Sequence, residues 1–210
     1  MKKRKFKLKL CPFLHFAKRG FLMQTGKEDI MKKTRMLTVT AMLTAMAVIL
    51  QYLGTVMGLK VGGFLEIEFS DLPAIIGTLS MGPVCGVLIE LFKNIIHCFA
   101  TTTGYVGEFA NFCVNGVYVL VLGLIYAGNK TKGRAVFGFF LATVIYSVTS
   151  ALINYFIMLP LYMPAAETAF KLNLVLTLIT PFNIIKGAVL AIITLLIYKK
   201  LSPIIKGTAR

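Results

Sequence analysis

The 210-residue sequence has no tryptophan, 8 acidic residues, two histidines and four cysteines, and only 15% of it is charged. Soluble globular domains carry roughly 25% charged residues, so there is too little polar material here to coat a water-soluble core. Cys11, Cys85, Cys98 and Cys113 show no C-x-x-C spacing and the last three fall inside apolar stretches, which argues against a disulfide framework or a zinc site. With His15 and His97 as the whole histidine supply, a metal cluster has no ligands to draw on, and His97 reads as a polar helix-end residue. No G-x-x-x-x-G-K-[ST] phosphate loop is present, so the chain does not hydrolyse ATP by that route. H-E-x-x-H and G-x-S-x-G are also missing, which weakens intramembrane protease and lipase readings.

What is abundant is apolar: 57% of the residues are hydrophobic, 16 of them Phe. This composition indicates a membrane protein. The basic excess, 23 Lys and Arg, is concentrated rather than spread, with 12 of the 23 before Met36. A nucleic-acid-binding arm needs a folded soluble reader and none follows, so anchoring beside anionic lipid is the better account of the charge.

An apolar bilayer core of ~30 Å needs about 20 helical residues, and charge-free windows locate the spans. Divided at Gly and Pro breakers, the windows predict six transmembrane helices, roughly 34–54, 71–81, 83–100, 107–128, 135–159 and 173–199. The Ser80-Met81-Gly82-Pro83 run is a turn signal with Pro opening a new helix, and Pro160 and Pro164 are expected to end the fifth helix. With a cytoplasmic N-terminus, the inside segments hold 19 basic residues and the outside segments hold two, Lys60 and Lys171. That bias predicts both termini inside. The expected fold class is therefore an all-α, six-helix, multi-pass membrane protein with a long extracellular loop between the first two helices. Residues 33–200 form the membrane domain and 201–210 a basic cytoplasmic tail. Residues 1–32 are a basic extension, expected to be unstructured, lying on the membrane, or untranslated, with synthesis starting at Met31.

A charge at the bilayer centre costs about 2.5–3.5 kcal/mol on insertion scales and usually faces a cavity or a partner. Glu90, Lys93 and Asn94 stand at i, i+3 and i+4, so Glu90 and Lys93 can neutralise each other along one helix face. Lys186 has no acid within a helical turn; Asn183, three residues before it, shares its face. Asn154 and Asn111 lie at comparable depth in the outer halves of their helices. Three amides and one ammonium would suit a ligand rich in hydroxyls and carbonyls, since an amide both donates and accepts. Hydrogen bonds between helices are the equally weighted alternative, at roughly 1 kcal/mol each. The alternating stretch Phe64-Leu65-Glu66-Ile67-Glu68-Phe69-Ser70 favours a pocket, because it suits a strand-like lid on the outer face.

The runs Ile67-Glu68-Phe69-Ser70-Asp71-Leu72-Pro73-Ala74, Gly82-Pro83 through Lys93-Asn94, Gly107-Glu108-Phe109-Ala110-Asn111-Phe112, Asn154 to Pro160 and Pro181-Phe182-Asn183-Ile184-Ile185-Lys186-Gly187 carry a resemblance. Over about residues 33–200 the chain resembles the riboflavin-specific substrate-binding (S) components of energy-coupling factor (ECF) transporters. The resemblance implies a six-helix subunit that captures riboflavin from outside and works with a transmembrane coupling subunit and two cytoplasmic ATPase subunits. It implies no cofactor, riboflavin being the substrate, and no catalysis. Carried onto matching positions, Asn154, Asn183 and Lys186 would bond the vitamin, Asn111 would line the pocket, and Phe64, Leu65 and Glu66 would belong to the lid. Glu68 stands where the family commonly has Asp. Ala41 and Ala45, a small-xxx-small pair, would dock the coupling subunit in a bacterial cytoplasmic membrane. An S component for another vitamin or small precursor, a self-contained facilitator and a membrane enzyme remain as competitors.

Overall fold

A computed structural model describes residues 12–57, 60–61, 65–66, 69–99, 105–128 and 130–206, some of them by backbone alone. By internal contacts the chain divides into residues 1–38 and 39–210. Within the first part the described residues are helical from Pro12, and Thr38 Oγ1 donates to the Thr34 carbonyl at 3.0 Å.

The elements in chain order are α1 (Pro12–Met57), β1 (Lys60–Val61), β2 (Leu65–Glu66), α2 (Leu72–Met81), α3 (Pro83–His97), α4 (Val106–Gly128), α5 (Lys132–Ile153), α6 (Leu159–Tyr162), α7 (Thr168–Leu174) and α8 (Thr180–Lys206). Four stretches are long and apolar enough to cross a membrane: Lys33–Met57, Val106–Gly128, Lys132–Tyr162 and Thr168–Ile197. The short α2 and α3 lie between them in sequence. β1 and β2 pair antiparallel, Lys60 opposite Glu66 and Val61 opposite Leu65, so among the described residues a small hairpin interrupts an otherwise helical fold.

Local chemistry explains the breaks. Gly82 joins α2 to α3 with φ 108°, a backbone conformation that L side chains rarely adopt, and Pro83 follows at the first helical position where its missing N–H costs nothing. Thr131 caps α5 by accepting from the Arg134 N–H at 3.3 Å.

Pro160 does not end the fifth helix. Residues Asn154–Met158 form a π-helical turn in which the Leu159 N–H already reaches back to the Asn154 carbonyl, and helix then continues through Pro160 to Tyr162. A widened turn shifts the hydrogen-bond ladder just where the proline would break it. Pro164 acts instead: Met163 before it is non-helical, as the residue preceding a proline tends to be. The last span repeats the device. It starts at Thr168 rather than near 173, passes through a second π turn, Val175–Ile179, and meets Pro181 two residues later. Leu159, Val175 and Ile179 form a small apolar core with Ala151, Tyr155 and Leu174, so the two widened turns pack on each other.

The main core is built from Leu43 and Ala47 of α1, Ala74, Ile75 and Leu79 of α2, Cys85 and Ile89 of α3, and inward residues of α4, α5 and α8. Gly123 of α4 permits a close helix approach: a Cβ there would stand 2.6 Å from the Pro83 Cβ and 2.8 Å from the Thr78 methyl. Because backbone holds one side of that contact, Gly123→Ala is expected to destabilise the protein by about 1–3 kcal/mol, measurable as a lowered thermal midpoint in detergent with unchanged ligand specificity.

Candidate functional site

Charged side chains of α3 and α8 converge on the residue that precedes α2. Asp71, immediately before α2, is 2% exposed and sits at the junction. Its Oδ1 accepts from Lys93 Nζ at 2.6 Å and from Asn115 Nδ2 at 2.9 Å, while its Oδ2 is ion-paired with Lys186 Nζ at 2.9 Å. Lys93 is fully buried, pairs also with Glu90 Oε2 at 2.7 Å and donates to Ser70 Oγ at 3.3 Å. Asn115 donates further to Asn111 Oδ1 at 2.9 Å. Two carboxylates and two ammoniums thus form one buried quartet of net charge zero, extended by an amide pair on α4. Buried charges persist when they are paired, and each charge of the quartet has an opposite charge within 2.9 Å.

A second polar cluster lies one helical turn away on α8. Ser150 Oγ accepts from Asn154 Nδ2 at 3.2 Å and from Asn183 Nδ2 at 2.9 Å, bringing α5 and α8 together. The same two amides donate to the Ser150 and Ile179 carbonyls, each at 2.8 Å. Among the described residues these bonds engage the NH2 half of each amide. Asn154 opens the first π turn and Asn183 follows the second, so the widened turns set the depth and direction of both side chains.

A third group ties α1, α3 and α4. His97 ends α3, as expected of a polar helix-end residue, with Nδ1 3.1 Å from Glu108 Oε1, Nε2 3.5 Å from Thr55 Oγ1, and its ring edge-on to Tyr52 at 5.3 Å. No group of three metal-ligating side chains suited to an ion occurs among the described residues.

The sequence-derived candidates fall as follows. Asn154 and Asn183 meet at Ser150, Lys186 lies one turn beyond Asn183, and Asn111 joins the network through Asn115. The expected Glu90–Lys93 pair is present. Leu65 and Glu66 lie in the hairpin and are described by backbone only; Phe64 falls outside the described residues. Ala41 and Ala45 are exposed on α1, on the opposite side from the buried Thr40, Leu43, Thr44 and Ala47.

Sequence reasoning missed Asp71, Asn115 and Ser150 as members of these clusters. It sought an acid for Lys186 within one helical turn, whereas the acid comes from another helix. A charge balance would have found it: with Glu90 matched to Lys93, Lys186 still needs an anion, and Asp71 opens the short apolar window that begins at Leu72.

Residues 35–198 match the family described as ECF transporter, substrate-specific component. The chain is 31% identical to a riboflavin transporter of Staphylococcus aureus over 86% of its own length and 96% of that protein's. It is 34% identical to the riboflavin transporter FmnP of Bacillus subtilis over 81% of the chain and 94% of the relative. The solved structure of the S component of a bacterial ECF transporter superposes with a TM-score of 0.70 at 30% identity, covering 83% of this chain and 99% of that one.

Proposed function

The chain belongs to the substrate-specific components of ECF transporters, and from that premise we infer that it binds riboflavin and serves as the riboflavin-capturing subunit for its ATP-driven uptake. It is a multi-pass membrane protein and a transporter component, not an enzyme. The observation that carries the substrate is the pairing of polar clusters on α8: the amides of Asn154 and Asn183 gathered at Ser150, and Lys186 one turn on. A flat flavin ring buries well against apolar side chains, while its ring carbonyls, its imide N–H and the ribityl hydroxyls need directional donors and acceptors. Two amides and an ammonium offer both kinds without demanding an anionic ligand.

In this reading six membrane-spanning segments, α1 to α4, α5 with α6, and α7 with α8, place both termini in the cytoplasm of a bacterial cell. The site then opens outward, and the hairpin of β1 and β2, with Leu65 and Glu66 in its returning strand, is the lid over it; Phe64 is proposed as a lid residue from the resemblance alone. Asn111 lines the pocket through its bond with Asn115. Binding precedes reorientation: the vitamin enters between the outer helix ends, the lid closes, and a transmembrane coupling subunit driven by two ATPase subunits moves the loaded bundle to release it inside. Exposure of Ala41 and Ala45 supports a docking face on α1, since small residues let a partner helix approach closely.

Protein purified from a riboflavin-replete host is expected to be yellow and, on denaturation, to release riboflavin near one per chain; a colourless preparation that never takes up added riboflavin contradicts the assignment. Replacing both Ala41 and Ala45 by Phe should leave riboflavin affinity within about threefold, under 0.7 kcal/mol, yet remove most ATP-dependent uptake by the assembled transporter. Equal loss of binding and uptake would instead place these alanines in internal packing.

A further inference from the structure

The quartet Asp71, Glu90, Lys93 and Lys186 has a property that reaches beyond holding the helices together: its charges cancel, and Lys186 is matched to Asp71 Oδ2 at 2.9 Å. Lys186 is the least buried of the four, with 13% of its side chain exposed, against 2% for Asp71 and 0% for Glu90 and Lys93. The quartet therefore meets whatever occupies the space beside α8 through Lys186, with the others behind it. An ammonium already matched to a carboxylate can still donate a hydrogen bond to a hydroxyl or carbonyl. It has no net positive charge with which to compensate a bound anion.

We propose that Asp71 is a specificity-determining residue that sets the ligand charge this site accepts, holding Lys186 neutral overall so that an uncharged flavin alcohol is taken and its phosphate monoester is disfavoured. A flavin monophosphate carries a charge of about −1.5 to −2 near neutral pH. Moving it out of water into a site of zero net charge leaves that anion uncompensated, which is costly in a low-dielectric surround. A neutral ribityl chain incurs no such penalty. Discrimination of this kind works by an unfavourable term against the competitor rather than by an added contact to the preferred ligand.

This proposal rests on the reading that Lys186 faces bound riboflavin. Its test is a set of titrations of the purified full-length chain in detergent, following flavin emission with riboflavin and, separately, with flavin mononucleotide. The quantity read is the ratio of the two dissociation constants. The unaltered protein should favour riboflavin by at least about tenfold. Asp71→Asn keeps the side-chain shape but leaves the quartet at net +1, and should shrink the ratio by roughly tenfold or more. Lys186→Gln takes the quartet to net −1 and should widen it, whatever it does to riboflavin affinity itself. The double variant Asp71→Asn with Lys186→Gln restores neutrality and should return the ratio toward its starting value, which general damage to the fold would not do. If Asp71→Asn does not fold, Glu90→Gln reaches the same net +1 without touching Lys186 and should also narrow the ratio.

Single variants of opposite charge that move the ratio in the same direction, or leave it within about twofold, would overturn the proposal while riboflavin binding by the unaltered chain still stood. Absence of riboflavin binding by the unaltered chain would instead overturn the functional assignment on which the proposal rests.

Discussion

Replacing Lys186 by Ala is expected to weaken riboflavin binding roughly a hundredfold, about 2.7 kcal/mol, the largest effect of any single substitution in the two polar clusters. Two losses combine. The ammonium that donates to the vitamin disappears, and Asp71, 2% exposed, loses the cation at 2.9 Å from its second oxygen. Asp71 keeps Lys93 at 2.6 Å, but the quartet is left with one negative charge in excess, and an incompletely compensated buried charge costs up to about 3–5 kcal/mol. Part of that cost is already present in the unliganded protein, which is why the binding loss is set nearer the lower bound. The exposed Lys132 on α5 provides the comparison, since Lys132→Ala should leave affinity unaltered. Fluorescence titration of both variants checks this, and an affinity for Lys186→Ala within about threefold of the starting protein, under 0.7 kcal/mol, would count against the site.

Lys93→Met should produce the largest loss of stability. Lys93 is fully buried and bridges Asp71 at 2.6 Å and Glu90 at 2.7 Å. Methionine matches the length of its aliphatic stem but takes the shared ammonium from two buried carboxylates, leaving the quartet with one negative charge in excess, while Asp71 keeps Lys186 at 2.9 Å. The expected cost is about 3–5 kcal/mol, or a fall on the order of 10 °C in thermal midpoint for a chain of this size. Adding Glu90→Gln to Lys93→Met removes the excess negative charge and should recover part of the loss. A midpoint for Lys93→Met indistinguishable from the starting protein would mean that the quartet contributes nothing to holding α2 against α3. The Lys186 and Lys93 variants divide the network by function: the first chiefly reads ligand affinity, the second chiefly reads helix packing.

Much of this architecture was legible from the order of residues. Charge-free windows and the Ser80 to Pro83 turn located α2 and α3 within a few residues of where they stand, because apolar span length and Gly-Pro punctuation are local properties. Pro160 misled for the same reason. A proline's effect depends on whether the preceding turn has already displaced the hydrogen-bond ladder, and Tyr155 of the π turn at Asn154–Met158 packs on Val175 and Ile179, some twenty residues further along the chain, a contact that local sequence does not announce. The amides of Asn154 and Asn183 could be nominated from depth alone; that they meet at Ser150 could not, since a single serine in an apolar helix has no signature. Asp71 was visible within a recognisable motif, yet its role depends on three helices arriving at one point. Spacing along a helix predicts the Glu90–Lys93 pair and says nothing about a partner for Lys186 that lies over a hundred residues upstream.

The relation between the two clusters also bears on how binding is coupled to movement. Asn183 and Lys186 occupy one face of α8, one tied to α5 through Ser150 and the other to α2 through Asp71. A ligand that engages both side chains would connect three helices at once, so occupancy and helix arrangement are linked by the same hydrogen bonds.

The most direct measurement is equilibrium titration of the purified, flavin-stripped chain with riboflavin, monitored by flavin emission, in the absence of any coupling subunit or ATPase. The account predicts saturable quenching at one riboflavin per chain, lost roughly a hundredfold in Lys186→Ala in keeping with the buried-pair magnitude. Emission that stays unquenched and linear in added riboflavin across the range would contradict it.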